Sequence, residues 1–429
     1  MQKKSKITQW LETANPAAFS AYCVAAAFTT YFCMYAFRKP FSVGIFAGEV
    51  EIFGLVMGYK IFIIISQVLG YTCSKFLGIK IVSEMKGNRR ALSLVGLILF
   101  AEISLVFVGI VPKPWGALFL FLNGLPLGMV WGLVFGFLEG RKTSEALGAG
   151  LSASYILASG VVKSVGREVM NNGVAETWMP FVTGLIFFPL FLIAVYLLNQ
   201  IPKPTLLDEE LRIKRRPMQG PDRWLFLKTY APGLVPLTLL YMLLTAYRDF
   251  RDNFSREIWD AIGFEGKSAI YAASEVPVIV GVLIGLGSIM LIKNNRLAMR
   301  TIHLIMIAGS LLIGVATLGH QLNMISPVAW MILVGLGLYL GYVPYGCVLF
   351  DRLIAAVGFM GTAGFMIYCT DAFGYLGSVA LMLYKTFASP NISWLKFFIN
   401  VSYLTSAVCT GAFIISLIYF ERVCKKTEN

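Results

Sequence analysis

Five ionisable side chains interrupt long apolar runs of this 429-residue sequence: Lys60, Glu102, Lys163, Glu275 and Asp371. A lone charge surrounded by lipid is costly, so such residues usually face an oppositely charged partner or a water-filled cavity. We therefore expect these five residues to act as gate or coupling charges. The alternative is that they form structural ion pairs or reach the membrane interface.

Two arginines occupy comparable positions near the ends of apolar runs. Arg38 and Lys39 end a run that begins near Ala17, and Arg248 ends a later run. The planar guanidinium group binds the oxygens of phosphate or carboxylate in a bidentate manner. Two such groups would form a converging positive site for an anion. Alternatively, they mark the outer ends of their helices.

The elements that must position these residues are membrane-spanning helices. The chain is 57% hydrophobic and 14% charged, whereas soluble domains carry about 25% charged residues. One crossing takes about 20 apolar residues, so the composition predicts an all-α integral membrane protein with about twelve transmembrane helices. The predicted apolar segments are 17–40, 52–78, 91–111, 115–138, 147–166, 178–199, 229–248, 268–292, 301–319, 327–349, 357–384 and 394–420.

The positive charge of the chain sets a topology. The formal net charge is +13, but the Lys and Arg residues lie mostly in alternate short loops, which is the pattern of cytoplasmic loops in membrane proteins. We therefore predict that both termini are cytoplasmic and that the chain does not bind nucleic acid. The seven cysteines are scattered without metal-ligand spacing, so no metal and no cofactor are predicted.

An internal repeat divides the chain into two halves. Arg38-Lys39-Pro40-Phe41-Ser42 recurs 213 residues later as Arg251-Asp252-Asn253-Phe254-Ser255. A Gly-Leu pattern that begins at Gly124 recurs 211 residues later at Gly335. Two matches near one offset indicate duplication. The predicted organisation is a six-helix domain over 1–200, a cytoplasmic linker over 201–228 and a second six-helix domain over 229–429.

Short motifs in both halves resemble one transporter family. The run from Tyr31 to Phe41 (YFCMYAFRKPF) resembles the first-helix signature of the organophosphate:phosphate antiporters, a branch of the major facilitator superfamily. The sequence Ser74-Lys75-Phe76 resembles a motif of the second helix in that family. Arg248, seven residues before Ser255, resembles its seventh helix.

The resemblance implies a fold and a set of substrate-binding residues. The fold would be of the major facilitator type, with two pseudo-symmetric six-helix domains. Arg38 and Arg248 would bind the phosphate, and Lys39 and Lys75 would add positive potential. Tyr31, Tyr35 and Arg251, the last being the repeat counterpart of Arg38, complete the candidate site.

The predicted function is therefore secondary active transport. The solute would be small, anionic and phosphorylated, inorganic phosphate or a proton would be the coupling species, and the location would be the bacterial inner membrane. No GxxxxGK[ST] motif for a driving nucleotide and no HExxH motif occurs, so an enzyme is not predicted. A transporter-like sensor that binds the solute without flux, and a lipid or lysolipid transporter, are the alternatives. Lys163 stands where the antiporters have histidine, which leaves the solute open and favours a bacterial offshoot.

Alternating access also suggests a role for four of the buried charges. In a two-domain carrier of this type, the fifth helix meets the eighth and the second meets the eleventh. We expect ion pairs Lys163–Glu275 and Lys60–Asp371 that close an outer gate. The alternative is that each residue pairs within its own half.

Overall fold

Helices make up nearly all of the described chain. The computed structural model describes residues 5–52, 54–85, 87–138, 141, 144–204, 220–357 and 363–428. The chain divides into two compact units, which we call unit 1 (Met1–Ile213) and unit 2 (Lys214–Asn429).

Unit 1 contains seven described helices and one short hairpin. The helices are α1 (Lys6–Thr13), α2 (Pro16–Met34), α3 (Tyr59–Glu84), α4 (Arg90–Ile110), α5 (Gly116–Leu138), α6 (Ser144–Asn171) and α7 (Met179–Asn199). The hairpin pairs strands β1 (Glu49–Ile52) and β2 (Leu55–Gly58) in antiparallel orientation.

Unit 2 contains eight described helices. They are α8 (Gly220–Asn253), α9 (Ser255–Ala261), α10 (Ile270–Met290), α11 (Asn295–Gln321), α12 (Pro327–Cys347), α13 (Leu349–Val357), α14 (Ala363–Leu383) and α15 (Trp394–Glu428). A π-helical turn over 384–388 extends α14.

Local sequence signals explain where several helices begin. The side chains of Asn15 and Ser326 cap α2 and α12 by accepting a backbone N–H three residues later. Each is followed by proline, which fits the first helical position because its missing N–H has no intrahelical partner there. The paired signals therefore start two of the spanning helices.

The predicted membrane-spanning segments correspond to long helices. Among the described residues, eleven helices are long and apolar enough to cross a membrane. The remaining predicted segment, 357–384, corresponds to α14, which has 21 residues. Most of the predicted linker, 205–219, lies outside the described residues, and α8 begins at Gly220, before the predicted end of the linker at residue 228.

The two units pack their helices in the same pattern, which supports the internal repeat. In unit 1 the packed pairs include α2 with α6 and α7, α4 with α5 and α7, and α3 with α5. In unit 2 they include α8 with α14 and α15, α11 with α12 and α15, and α10 with α12. Each pair of unit 1 has its counterpart six spanning helices later.

The hairpin corrects one boundary. The second spanning helix begins at Tyr59, not at 52, because residues 49–52 and 55–58 pair as strands next to Gly54, whose φ of 78° suits a tight turn. Lys60 is the second residue of α3.

Glycines allow α3 and α5 to approach closely. A Cβ added at Gly124 would overlap the carbonyl oxygen of Gln67, and one added at Gly128 would lie 2.6 Å from the Cβ of Ser74. Gly70 on α3 faces the backbone of Phe121 in the same way. Gly124 and Gly128, four residues apart on α5, therefore serve helix packing, as expected for small residues in membrane helices.

Candidate functional site

The first spanning helix of unit 1 breaks at Arg38. Helix α2 gives way to two 3₁₀ turns, over 35–37 and 40–43. Proline has no N–H and cannot continue the α-helical bonding pattern, so Pro40 favours this break. The break leaves the carbonyl groups of Phe37 and Arg38 available to side chains from other helices.

Two buried amide side chains bind these carbonyl groups. Gln67 Nε2 donates to the oxygen of Arg38 at 3.0 Å and to Asn123 Oδ1 at 2.8 Å. Asn123 Nδ2 donates to the oxygens of Phe37 and Ala101, both at 3.0 Å. The backbone at Arg38 is thus tied to α3, α4 and α5. Sequence reasoning missed Gln67 and Asn123, although an amide inside an apolar run is itself a signal.

The guanidinium group of Arg38 lies over an aromatic ring. Its Cζ is 3.7 Å from the centroid of Tyr71 and 6.0 Å from that of Tyr35. Lys75 Nζ is 5.3 Å from the Tyr71 ring, and the Tyr31 and Tyr35 rings meet edge to face at 5.7 Å. The structure therefore brings Arg38 and Lys75 to the Tyr71 ring, while Tyr35 lies beside Arg38 and contacts Tyr31. Sequence reasoning missed Tyr71, although it precedes Lys75 by four residues and so shares its helical face.

Unit 1 buries far more positive than negative charge. Among its described residues, the one buried carboxylate belongs to Glu102. Lys39 is held beside the break, where Ser42 Oγ donates to its carbonyl oxygen. The buried cationic side chains, each between 3% and 7% exposed, are Arg38, Lys39, Lys60, Lys75 and Lys163.

In unit 2 the corresponding arginines have carboxylate partners. Arg248 donates from Nη2 and Nε to Asp249 Oδ1 at 2.9 and 3.2 Å. Ser378 Oγ donates to the other oxygen of Asp249 at 2.8 Å. The buried charge of Arg248 is therefore balanced by its sequence neighbour.

A cluster of tyrosines surrounds Arg248. Its Cζ lies 4.4 Å from the ring centroid of Tyr342 and 5.8 Å from that of Tyr375. The Tyr241 hydroxyl donates to Asp371 Oδ1 and lies 2.9 Å from the Tyr342 hydroxyl. The arrangement of an arginine over a tyrosine thus occurs in both units.

Arg251, the repeat counterpart of Arg38, forms an ion pair. Its Nη1 donates to Glu275 Oε1 at 2.8 Å, and its Nη2 donates to the carbonyl oxygen of Met331 at 3.2 Å. The same sequence position is therefore paired with a carboxylate in unit 2 and stacked on a tyrosine in unit 1.

The predicted gate pairs each join residues of different units. Within unit 2, Glu275 binds Arg251 and Asp371 accepts a hydrogen bond from Tyr241. The pairs Lys163–Glu275 and Lys60–Asp371 stay predictions.

The groups gathered in the two units suit oxygen-rich ligands. Guanidinium, ammonium and hydroxyl groups bind anions and polar oxygens through hydrogen bonds. In the described part of the chain, no group of three or more His, Cys, Asp or Glu side chains is placed to hold a metal ion.

Solved structures of membrane transporters share this fold. A D-xylose-proton symporter has a TM-score of 0.64 at 13% identity, covering 94% of this chain and 97% of its own. A POT family transporter in complex with a thioalcohol-conjugated peptide has a TM-score of 0.61 at 13% identity, with coverages of 94% and 96%. A bacterial homologue of the human drug peptide transporters PepT1 and PepT2 has a TM-score of 0.59 at 10% identity, with coverages of 94% and 99%. The predicted fold class, an all-α membrane protein of the major facilitator type, is confirmed.

Sequence comparison gives a family. No curated protein matches the sequence significantly. The profile of one family matches residues 40–423, which is most of the chain and covers the larger part of each unit. The protein is therefore a multi-pass membrane protein that belongs to the family of unknown function DUF5690.

Proposed function

We propose that this protein is a secondary active transporter that moves a small anionic, phosphorylated solute across the bacterial inner membrane by alternating access. The observation that carries the proposal is the excess of buried positive charge in unit 1. Five cationic side chains are buried there, against the single carboxylate of Glu102 among the described residues.

The five buried cations of unit 1 favour an anionic ligand. Moving one ion from water into a dry interior has an idealised cost of order 20 kcal/mol, and the effective cost in a protein is still several kcal/mol for each ion. A phosphate ester carries a charge of about −2 at neutral pH. Binding such an anion would place negative charge beside these buried cations.

Arg38 is the residue best placed to recognise the phosphate. Its backbone is fixed by Gln67 and Asn123, and its side chain is held over Tyr71. A guanidinium group held by a cation–π contact still has planar N–H donors that match phosphate oxygens. Lys75, beside the same ring, adds positive potential.

Arg248 in unit 2 would bind phosphate by exchanging its present partner. Its guanidinium group binds Asp249, so phosphate oxygens must replace that carboxylate if Arg248 is to bind the solute. Unit 2 would then have different internal contacts with and without bound solute. A ligand shifts a conformational equilibrium only if its interaction free energy differs between the two conformations.

The fold supports transport by analogy. The D-xylose-proton symporter and the peptide transporters have this architecture, although a shared fold does not by itself determine the solute. We propose inorganic phosphate or a proton as the coupling species.

Thermal stabilisation tests the anion site. Purified wild-type protein and Arg38→Ala protein are melted with inorganic phosphate, phosphate esters, carboxylates and neutral sugars, and Lys396→Ala at an exposed position serves as the control. A ligand present at 100 times its Kd stabilises the folded state by about 2.7 kcal/mol. Phosphate compounds should stabilise the wild type and the control but not Arg38→Ala. Stabilisation by neutral sugars alone, or an equal response of Arg38→Ala, would remove the anion site.

A further inference from the structure

Glu102 is a buried acid in an apolar setting. It lies in the middle of α4, is 7% exposed, and both of its carboxylate oxygens lack a hydrogen-bond partner among the described residues. Its carboxyl group packs directly against the backbone of α7 at Gly184, where an added Cβ would overlap Oε2. The sequence alone showed only a charge in an apolar run.

The elements packed against α4 bring little charge to Glu102. Helices α5 and α7 contain no Asp, Glu, Lys, Arg or His, and the titratable group of α7 is the phenol of Tyr196. The short turns beside α4 contribute Tyr35 and Arg89. On α4 itself the other charge is Arg90, twelve residues away, or about 18 Å along the helix. An ionised carboxylate without a donor or cation is very unfavourable in such a place, so this packing fits the protonated form.

Glu102 is connected to the candidate anion site through its neighbour in sequence. The carbonyl oxygen of Ala101 accepts from Asn123 Nδ2, which also donates to the carbonyl of Phe37. Asn123 in turn accepts from Gln67, which donates to the carbonyl of Arg38. A shift of α4 at Glu102 therefore changes hydrogen bonds that position Arg38.

We propose that Glu102 is a proton-binding site that couples protonation to anion binding at Arg38. This inference rests on the proposed transport function. Loss of the proton leaves a negative charge that the contact with Gly184 does not stabilise, so α4 must move relative to α7. This movement changes the hydrogen bond between Asn123 and the carbonyl oxygen of Ala101. Because coupling between two binding sites is reciprocal, an anion at Arg38 changes proton affinity at Glu102 by the same factor.

The first experiment needs no ligand. Melting temperature is measured across pH 5 to pH 9 for wild type, Glu102→Gln and Glu51→Gln, the last being the same change at an exposed carboxylate. A carboxyl that keeps its proton in the folded chain but loses it in the unfolded chain makes stability fall as pH rises. Wild type and Glu51→Gln should show this fall, and Glu102→Gln should lose it. A Glu102→Gln profile that matches wild type overturns the inference, whatever the protein transports.

Two further measurements test the coupling. Affinity for inorganic phosphate is measured at pH 6 and pH 8, and uptake into proteoliposomes is measured with and without a pH gradient. Glu102→Gln should keep phosphate exchange but lose the accumulation that a pH gradient drives. The phosphate affinity of this variant should change with pH only because phosphate itself changes its protonation state. Accumulation equal to wild type overturns the coupling role.

The design separates this inference from the proposed function. If no variant binds or moves phosphate, the proposed function and the coupling role fail, while the melting profiles still decide whether Glu102 binds a proton. If Glu102→Gln does not fold, Glu102→Met replaces it, because an apolar side chain of similar volume leaves no polar group at this position.

Discussion

At the scale of single residues, Arg38 and Arg251 show how one repeated position acquires two environments. Arg38 lies over Tyr71, whereas Arg251 binds Glu275. Charge alone is therefore a poor guide to the role of a buried arginine. The groups that contact the guanidinium determine whether a substitution of the arginine lowers ligand affinity or the stability of the fold.

Arg38→Lys should weaken phosphate binding while the protein stays folded. Lysine keeps the positive charge but lacks the planar fork that binds two phosphate oxygens. We expect affinity for phosphate compounds to fall roughly tenfold, or about 1.4 kcal/mol, as measured by calorimetric titration. Unchanged affinity would mean that only the charge at this position matters.

Glu275→Gln should destabilise unit 2. Removing one partner of a buried ion pair leaves the other uncompensated, which costs about 3–5 kcal/mol. Asp260→Asn is the control, because its pair with Arg256 is more exposed and exposed pairs contribute about 1 kcal/mol or less. Chemical unfolding of both variants in the same detergent compares the losses. Similar small losses would show that Glu275 is not important for stability.

At the scale of elements, the close contact of α3 and α5 depends on glycine. Gly124→Ala places a methyl group against the α3 backbone at Gln67 and should cost about 1–3 kcal/mol. Gly96→Ala on α4 is the control, because nothing lies within 4 Å of its added Cβ. That control should be neutral or gain up to about 1 kcal/mol of helix propensity. Equal unfolding curves for the two variants would contradict the packing role of Gly124.

The break at 35–43 depends on the amide side chains that bind its carbonyl groups. Asn123→Ala leaves the oxygens of Phe37 and Ala101 without this donor, at about 1–3 kcal/mol for each buried group. Phosphate affinity should fall as well, although no charge is removed. Asn172→Ala, at an exposed position, should change neither stability nor phosphate affinity. Titration with phosphate measures the affinity of both variants. A phosphate affinity of Asn123→Ala equal to that of the wild type would show that the backbone break does not affect the anion site at Arg38.

The sequence predicted the spanning helices better than it predicted the contacts between their side chains. Apolar length located the spanning helices because the bilayer fixes how many apolar residues a crossing needs. It missed the hairpin at 49–58, because strands of four residues resemble the start of an apolar helix. It also missed Gln67, Asn123 and Tyr71, because their roles arise only where α3 and α5 lie side by side.

At the scale of the whole molecule, the two units differ in charge balance. Unit 1 buries five cations against one described carboxylate, whereas the arginines of unit 2 are paired with Asp249 and Glu275. The repeat could be predicted because its motifs recur in the sequence. The balance of buried charge could not be predicted, because it depends on which side chains are buried. The two units thus share a packing pattern and differ in the charges that their described residues bury.

This difference predicts opposite effects of removing a cation from each unit. Lys75→Met removes one of the five buried cations of unit 1 and should raise the melting temperature without ligand, because like charges in a compact unit repel each other. Arg248→Met leaves Asp249 without its cation and should lower it by the equivalent of about 3 kcal/mol. Melting curves in ligand-free buffer decide, and a drop of equal size in both variants would contradict the charge excess of unit 1.

The most direct test of the central claim is phosphate exchange in proteoliposomes. Vesicles loaded with inorganic phosphate are given labelled phosphate outside, and uptake is compared for wild type, Arg38→Ala and Lys396→Ala. Without a pH gradient, we predict that internal phosphate increases uptake by the wild type and the control, and that Arg38→Ala abolishes this uptake. Binding without exchange would make the protein a receptor, and equal uptake by Arg38→Ala would contradict an anion site at Arg38.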